Sequence, residues 1–386
     1  AITQEHGAVP RSLIDYHVSV ADKSIEGYKV VEIGDFIISL RSFQGGIEYS
    51  RYKGICSPAY VILRLAPEHS TDYFRHFLKT DRFIGQLTKN LEGLRDGKMV
   101  SYKQFSELQL PNPSRKEQQK IADCLSSLDE LIAAEANKLD ALKTHKKGLM
   151  QQLFPAEGET LPRLRFPEFR DAGEWEETTL GSIAKFASGG TPSKDVSEYW
   201  GGTTPWISAS SMYETNLCKS DMNITDQAVR DGARIAKQGT LLILVRGSML
   251  YNRVPMGITS IDVSFNQDVK ALTIKHGINT VFLLYELLAY ELRIPVDKTG
   301  IGAGKIETDE LKRLPIYIPS LIEQQKIADC LAALDDLIAA QAQKIELLKR
   351  HKKGLMQQLF PRVAGASSPS AFESREQDAP ATFCAA

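Results

Sequence analysis

The chain has 386 residues, 42% of them apolar and 25% charged, with 47 Lys and Arg against 48 Asp and Glu. This length suggests two domains, perhaps three, with sizeable cores, and the near-neutral balance excludes binding of polyanions through bulk charge alone. The N-terminus, AITQEHGAVP, lacks the regions of a secretory signal and no stretch approaches the ~18 apolar residues of a membrane span, so a cytoplasmic protein without a membrane partner is expected. Five scattered cysteines (Cys56, Cys124, Cys218, Cys330, Cys384) and seven histidines support neither a disulfide framework nor a zinc site.

Residues 1–114 read as a first mixed α and β domain, with GDFIISLRSF (Gly34 to Phe43) as a strand followed by Arg41. A long helix is predicted over 115–155. Ile121, Leu125, Leu128, Ile132, Glu135, Leu139, Leu142, Lys146, Leu149 and Leu153 are spaced 4, 3, 4, 3, the seam of a coiled coil, and Pro113 and Pro155 bound it.

Residues 156–320 read as a second mixed domain. SGGTPS (Ser188 to Ser193) and YWGGTTPWIS (Tyr199 to Ser208) are turn chemistry flanking aromatic side chains. TLLILV (Thr240 to Val245) and Val269 to Ile274 are predicted strands, and Val281 to Arg293 is helical by period. KTGIGAGK (Lys298 to Lys305) reads as a flexible basic loop before the LPIYIPS strand. The seam then returns over 321–361, and 362–386, rich in Ala, Ser and Pro, reads as a disordered tail.

The two helices are copies. EQQKIADCL…HKKGLMQQLFP at Glu117 to Pro155 recurs at Glu323 to Pro361 with 30 of 39 positions identical, at an offset of 206. Each seam needs a partner to cover its leucines, and each copy can cover the other. The predicted fold class is therefore α+β: two mixed domains separated by two long helices that form an antiparallel coiled coil. Symmetric pairing would set Glu135 near Gln341, a shifted one near Lys352. Core packing tolerates many apolar choices, so identity at polar positions suggests one surface offered to two copies of one partner. The candidates are Gln118, Gln119, Lys120, His145 and Lys147, with Gln324, Gln325, Lys326, His351 and Lys353.

The domains follow one plan. GTLLILVRGS (Gly239 to Ser248) parallels GDFIISLRSF, placing Arg246 where Arg41 stands, and TGIGAGKIETDELKRLPIYIPS parallels LRDGKMVSYKQFSELQLPNPS (Leu94 to Ser114). Aligned this way, the first unit of 155 residues is 51 shorter at its front than the second of 206. The first domain is thus expected to be N-terminally incomplete, through a truncated reading frame or an upstream half supplied by recombination.

Catalytic signatures are lacking. GIGAGK has Thr299 where a phosphate loop needs its first Gly, and Ile306 where Ser or Thr would bind magnesium. No Asn or Asp precedes Pro-Pro and an aromatic, no dinucleotide fingerprint follows a strand, and no nucleophile elbow or nuclease carboxylate cluster stands out. Binding is favoured over catalysis.

The doubled helices, the LPRLRFPEF entry (Leu161 to Phe169), WEETTLGSIA (Trp175 to Ala184), GGTPS with PWIS, and FNQD (Phe265 to Asp268) resemble the specificity subunits of type I restriction-modification enzymes over about 360 residues. The resemblance implies two target-recognition domains, each reading one half of an asymmetric bipartite site in double-stranded DNA. It also implies paired helices that act as a ruler and dock two methyltransferase subunits, with restriction and translocase subunits joining the complex. The chain itself would be non-catalytic and hold no cofactor or metal; methyl donor, ATP and magnesium would serve the partners.

Residues 1–114 carry 14 basic and 13 acidic side chains and residues 156–322 carry 18 and 21, so any DNA face must be a local patch. Candidate contacts are Lys194, Arg246, Asn252, Arg253, Asn266, Gln267, Lys298 and Lys305 in the second domain, and Arg41, Arg51, Lys53, Arg95, Lys98 and Lys103 in the first. Arg to guanine and Asn or Gln to adenine are the pairings to expect. The alternative is a coiled-coil scaffold presenting two protein-binding domains, without sequence-selective binding of DNA.

Overall fold

The computed structural model describes residues 2–3, 7–13, 27–38, 47–58, 60–89, 105–298, 302–360 and 372–374. The chain divides into two compact units, Ala1–Asn137 with Ala342–Ala386, and Lys138–Gln341, so each long helix contributes one stretch to each unit.

The long helices span Arg115–Leu153 and Leu321–Leu359, two residues short of the prolines that were expected to end them. Ser114 and Ser320 start them alike: each side-chain hydroxyl accepts the backbone N–H three residues on, from Glu117 and Glu323. In the first unit Asp129 meets Lys352 and Glu135 meets Lys344, so one segment ascends in number as its neighbour descends. In the second unit Lys146 meets Asp335 at 2.6 Å. Glu135 thus pairs one turn beyond Gln341, the neighbour symmetric pairing predicts, and not with Lys352, the neighbour of a shifted register.

In the first unit, strand β1 (Ile2–Thr3) pairs with β2 (Gly7–Ala8), and β3 (Lys29–Val31) pairs with β6 (Gly54–Cys56). The main sheet places β4 (Phe36–Ile38) between β5 (Ile47–Tyr49) and β7 (Val61–Leu65), all antiparallel. Phe372–Ser374 pairs with the other side of β7, so this part of the expected disordered tail is a strand; the rest of 362–386 lies outside the described residues. The helix Thr71–Phe77, capped by Ser70, packs Tyr73, Phe74 and Phe77 with Phe36, Leu63, Leu125 and Phe360. Each aromatic ring buried in this way contributes roughly 1.5–3 kcal/mol.

In the second unit β8 (Glu176–Thr179) pairs with β20 (Pro315–Ile318). A five-stranded sheet runs β11 (Asn216–Leu217), β16 (Met256–Thr259), β14 (Leu241–Leu244), β18 (Val269–Ile274), β9 (Ala184–Ser188). A four-stranded sheet runs β12 (Asn223–Ile224), β10 (Trp200–Ile207), β17 (Val263–Phe265), β13 (Ile235–Ala236). Alternation fails in β14 because all four of its side chains are buried, which is why the run TLLILV reads as apolar throughout. The segment predicted as one helix from Val281 to Arg293 is a helix over Thr280–Ala289 followed by a short turn of 3-10 helix at Glu291–Arg293.

The parallel between the domains holds in the backbone. Gly34 (φ 97°) donates to Ser50 O and Gly239 (φ 84°) to Thr259 O, each in the left-handed turn that enters a central strand. The unit cores also close the same way. Gln118 is 1% exposed; its side-chain oxygen accepts Ser70 N–H at 2.8 Å, and its amide donates to Pro113 O and Asn112 Oδ1. Gln324, also 1% exposed, accepts Asn279 N–H at 2.8 Å and donates to Pro319 O and Gly277 O. Ser70 and Asn279 are the caps of equivalent domain helices.

The far ends of the helices match too. Phe360 packs on Tyr73 and Phe77, and Phe154 on Phe282, Tyr290 and Trp175. Each domain therefore rests on the start of one long helix and the end of the other.

Candidate nucleic-acid interface

In the second unit, chain segments from several strand ends converge. After β14, Val245 donates to Asp268 O at 2.7 Å and accepts from Ile306 N–H at 2.8 Å. Strand β15 (Arg246–Gly247) then pairs antiparallel with β19 (Gly304–Lys305), aligning Arg246 with Lys305. The expected flexible loop is thus a strand at its C-terminal end, while 299–301 lies outside the described residues. A side chain at Gly304 would put its Cβ 2.8 Å from Leu250 Cβ, so the pairing requires glycine there. Lys298 Nζ donates to Tyr251 O at 3.2 Å, and the exposed Asn252 follows the turn Ser248–Tyr251.

The SGGTPS turn lies against FNQD. Gly190 N–H donates to Phe265 O at 2.9 Å, and a Cβ on Gly189 would fall 2.1 Å from the same oxygen. Two indoles staple the turn: Trp206 Nε1 donates to Gly190 O and Trp200 Nε1 to Ser193 O, both at 3.1 Å. Thr191 Oγ1 donates to the exposed Gln267 Oε1 at 2.8 Å, and Lys194 stands exposed beyond it. Lys194, Arg246, Asn252, Gln267, Lys298 and Lys305 therefore come from a linked set of loops and keep polar atoms toward solvent; Lys305 also pairs with Glu307.

Two of the expected contacts also hold backbone. Asn266 is 7% exposed and forms a turn, accepting Asp268 N–H at 3.1 Å, so its amide serves the backbone. Arg253 is exposed, and its Nη2 donates to Met212 O at 2.7 Å and Tyr213 O at 3.2 Å, which ties one end of the guanidinium to a neighbouring loop. In the first domain Arg51 is exposed and Lys53 pairs with Glu32 at 3.1 Å; Arg41, Arg95, Lys98 and Lys103 lie outside the described residues.

The proposed partner surface also changes. Gln118 and Gln324 are not surface residues, because burial and the three hydrogen bonds of each bind them into their own units. Gln119 and Gln325 are exposed and each donates to the aspartate four residues on, Asp123 and Asp329, at 2.7 Å. Lys120, His145, Lys147 and His351 are exposed, while Lys326 pairs with Glu168 and Lys353 with Asp81. The reading of polar positions missed Leu131 and Leu337, equivalent residues off the seam that are 41% and 55% exposed.

Among the described residues no group of His, Cys, Asp and Glu is placed to hold a metal ion, and no helix is long and apolar enough to cross a membrane. Cys56, Cys124, Cys218 and Cys330 are free thiols, and burial pushes that of Cys56 up to about 11.

The specificity subunit of the Escherichia coli type I restriction enzyme EcoR124I/EcoR124II is 34% identical over 170 residues, which cover 43% of this chain and 42% of that protein. The MjaVIII specificity subunit of Methanocaldococcus jannaschii is 24% identical over 365 residues, 89% of this chain and 81% of that one. The MjaIX specificity subunit of the same organism is 31% identical, with 41% of its length covered. The matched stretch thus spans less than half of the E. coli and MjaIX relatives.

Two solved structures share the fold. One, from a study of complex assembly and conformational transition of the type I R-M system, has a TM-score of 0.59 at 18% identity, covering 86% of this chain and 83% of that one. The other, the type I restriction-modification S subunit of M. genitalium, has a TM-score of 0.52 at 17% identity, covering 86% and 84%. The sequence model described as type I restriction modification DNA specificity domain matches residues 20–144 and 172–350, well over half of the chain, and each match takes in one domain and most of the helix after it. The chain belongs to the family of type I restriction-modification DNA specificity domains.

Proposed function

We propose that this chain is the non-catalytic subunit that selects the DNA sequence for a type I restriction-modification complex, its two domains reading the unlike halves of a bipartite site. The observation that carries this reading is the linked set of loops in the second unit, where exposed Lys, Arg, Asn and Gln side chains of the types that address phosphates and base edges stand on a braced frame. The antiparallel pairs Asp129–Lys352, Glu135–Lys344 and Lys146–Asp335 support a coiled coil as the frame. Two methyltransferase subunits dock on the repeated exposed positions, led by Gln119 and Gln325 with their aspartates. Methyl donor, ATP and magnesium serve those partners, in the cytoplasm.

The test is to combine the chain with a cognate methyltransferase subunit and sequence the methylated adenines of a plasmid library. A single asymmetric motif with a fixed spacer is the expected result. Methylation without a motif, or duplex binding with no sequence preference in the assembled complex, sinks the proposal in favour of a protein-binding scaffold. Arg246→Ala then assigns its role: loss on the cognate site alone marks a base contact, and equal loss on all sites a phosphate contact.

A further inference from the structure

The loop Ser208 to Thr215 contributes no cation or Asn and Gln side chain of the expected kind, yet it is fixed against the others at both ends. Met212 is buried at 1% exposure, and the Arg253 guanidinium holds Met212 O and Tyr213 O. Three residues after Met212, Thr215 O accepts Ile258 N–H at 2.8 Å, and β16 comes so close there that a Cβ on Gly257 would lie 2.5 Å from that oxygen. At the loop's front, the space beside Gly247 is bounded by Ala209 Cβ, 3.8 Å from where a glycine Cβ would stand, so the loop flanks the Arg246–Lys305 pairing. Between these fixed points Tyr213 is 67% exposed.

A large aromatic ring on a braced backbone loses little freedom on binding, so it is an efficient contact residue; a ring on a slack loop is not. We infer that Tyr213 contacts base edges in the half-site of the second domain and that Arg253 is its positioning residue. The inference rests on the DNA reading above and adds to it an uncharged reader. Phosphate attraction is left to cations such as Lys298 and Lys305, whereas the phenol ring offers apolar surface to a thymine methyl and a hydroxyl to base donors and acceptors. Arg253 acts through the loop, because its Nη2 donates to both carbonyls that flank the ring.

The experiment uses the full chain assembled with its methyltransferase subunits, the motif from the library, and duplexes carrying each single base change, titrated over a salt series. Tyr213→Ala is expected to cut discrimination at one or two positions of the second domain's half-site by tenfold or more, leaving the other half-site and the salt slope unchanged. Arg253→Ala is expected to lose discrimination at the same positions, again without a change in slope. The double variant should be no worse than either single one, because both act through one ring.

A phosphate contact by Arg253 would instead lower the salt slope by about one and weaken all duplexes alike. That result, full discrimination in Tyr213→Ala, or additive losses in the double variant would overturn the inference while leaving the specificity function standing. An unsubstituted complex that selects no sequence would overturn both. Tyr213 is exposed, so unchanged thermal unfolding of Tyr213→Ala is the expected folding control.

Discussion

Lys146 meets Asp335 at 2.6 Å in the second unit, and the residues at the same places in the repeat, Lys352 and Asp129, meet at 2.5 Å in the first. One interaction is thus made twice, from opposite strands of the duplication. Each aspartate also faces its domain: Asp335 accepts Tyr285 Oη at 2.7 Å, and Asp129 lies 3.8 Å from His76 Nδ1. Tyr285 and His76 hold equivalent places in their domain helices, six residues after the caps Asn279 and Ser70. The pair is a node joining domain, first helix and second helix.

The two members of this node are not equal in cost. Lys146→Ala removes a partly exposed ion pair and should lower unfolding stability by about 1 kcal/mol or less. Asp335→Ala also strips the partner from a tyrosine hydroxyl held among buried groups and should cost ~1–3 kcal/mol. Chemical denaturation of both variants checks the order. Equal losses would mean that the Tyr285 bond contributes nothing.

His76 makes the first unit sensitive to acid. Burial, then Lys352 and Arg75, hold its imidazole down to about 4 from the usual 6.5, against the weaker pull of Asp129. Between those values the unfolded chain takes up a proton that the native chain refuses, so stability is full above about 6.5 and falls as the pH drops toward 4, by up to roughly 3 kcal/mol. His76→Tyr, which copies the second unit, should flatten this part of the pH profile of thermal unfolding. A profile unchanged by the substitution would rule out His76 as its source.

Glu286 predicts the opposite slope. Its side chain is fully buried, one oxygen accepts Tyr317 N–H at 2.6 Å, and the other has no partner among the described residues. Burial raises its carboxyl well above the usual range, so the native group holds its proton to higher pH than the unfolded one. As pH rises above about 4.5 the unfolded chain releases the proton and the native chain keeps it, so stability is lost with rising pH. Glu286→Gln should therefore melt at a higher temperature than the parent at neutral pH, with the gap closing toward pH 4.5. A lower melting temperature at pH 7 would refute this.

The adjacent glutamines of the EQQ repeat should separate folding from docking. Gln118→Ala and Gln324→Ala orphan a buried cap N–H and should each cost ~1–3 kcal/mol in unfolding stability. Gln119→Ala and Gln325→Ala, on the exposed neighbours, should leave stability within ~0.5 kcal/mol and weaken methyltransferase assembly. Calorimetry with sedimentation of the mixed subunits reads both. Loss of assembly only in the Gln118 and Gln324 variants would move the docking surface elsewhere.

The contrast between those neighbours marks where sequence reasoning stops. The repeat, both long helices and the strands after Gly34, at TLLILV, at Val269–Ile274 and at LPIYIPS could be read in order, because hydrophobic period and turn chemistry are local. Identity of Gln118 with Gln324 was equally visible, but its cause was not: a partner surface and an internal cap conserve the same letter, and only the fold brings Ser70 and Asn279 beneath it. The pairing of Arg246 with Lys305 spans sixty residues of chain, and the glycines that permit it read locally as slack. Tyr213 gave no signal at all, since nothing in SASSMYE shows that an arginine forty residues away fixes its backbone.

The glutamine caps have a consequence for how such chains can vary. What Gln118 and Gln324 accept from each domain is a main-chain N–H, and what they donate to includes the main-chain oxygens of Pro113 and Pro319. An attachment made to backbone is blind to the side chains of the module attached. One domain offers Ser at the cap and the other Asn, with unlike residues around them, and the same socket holds both. A capped helix brought to this place meets the same socket whatever side chains surround its cap.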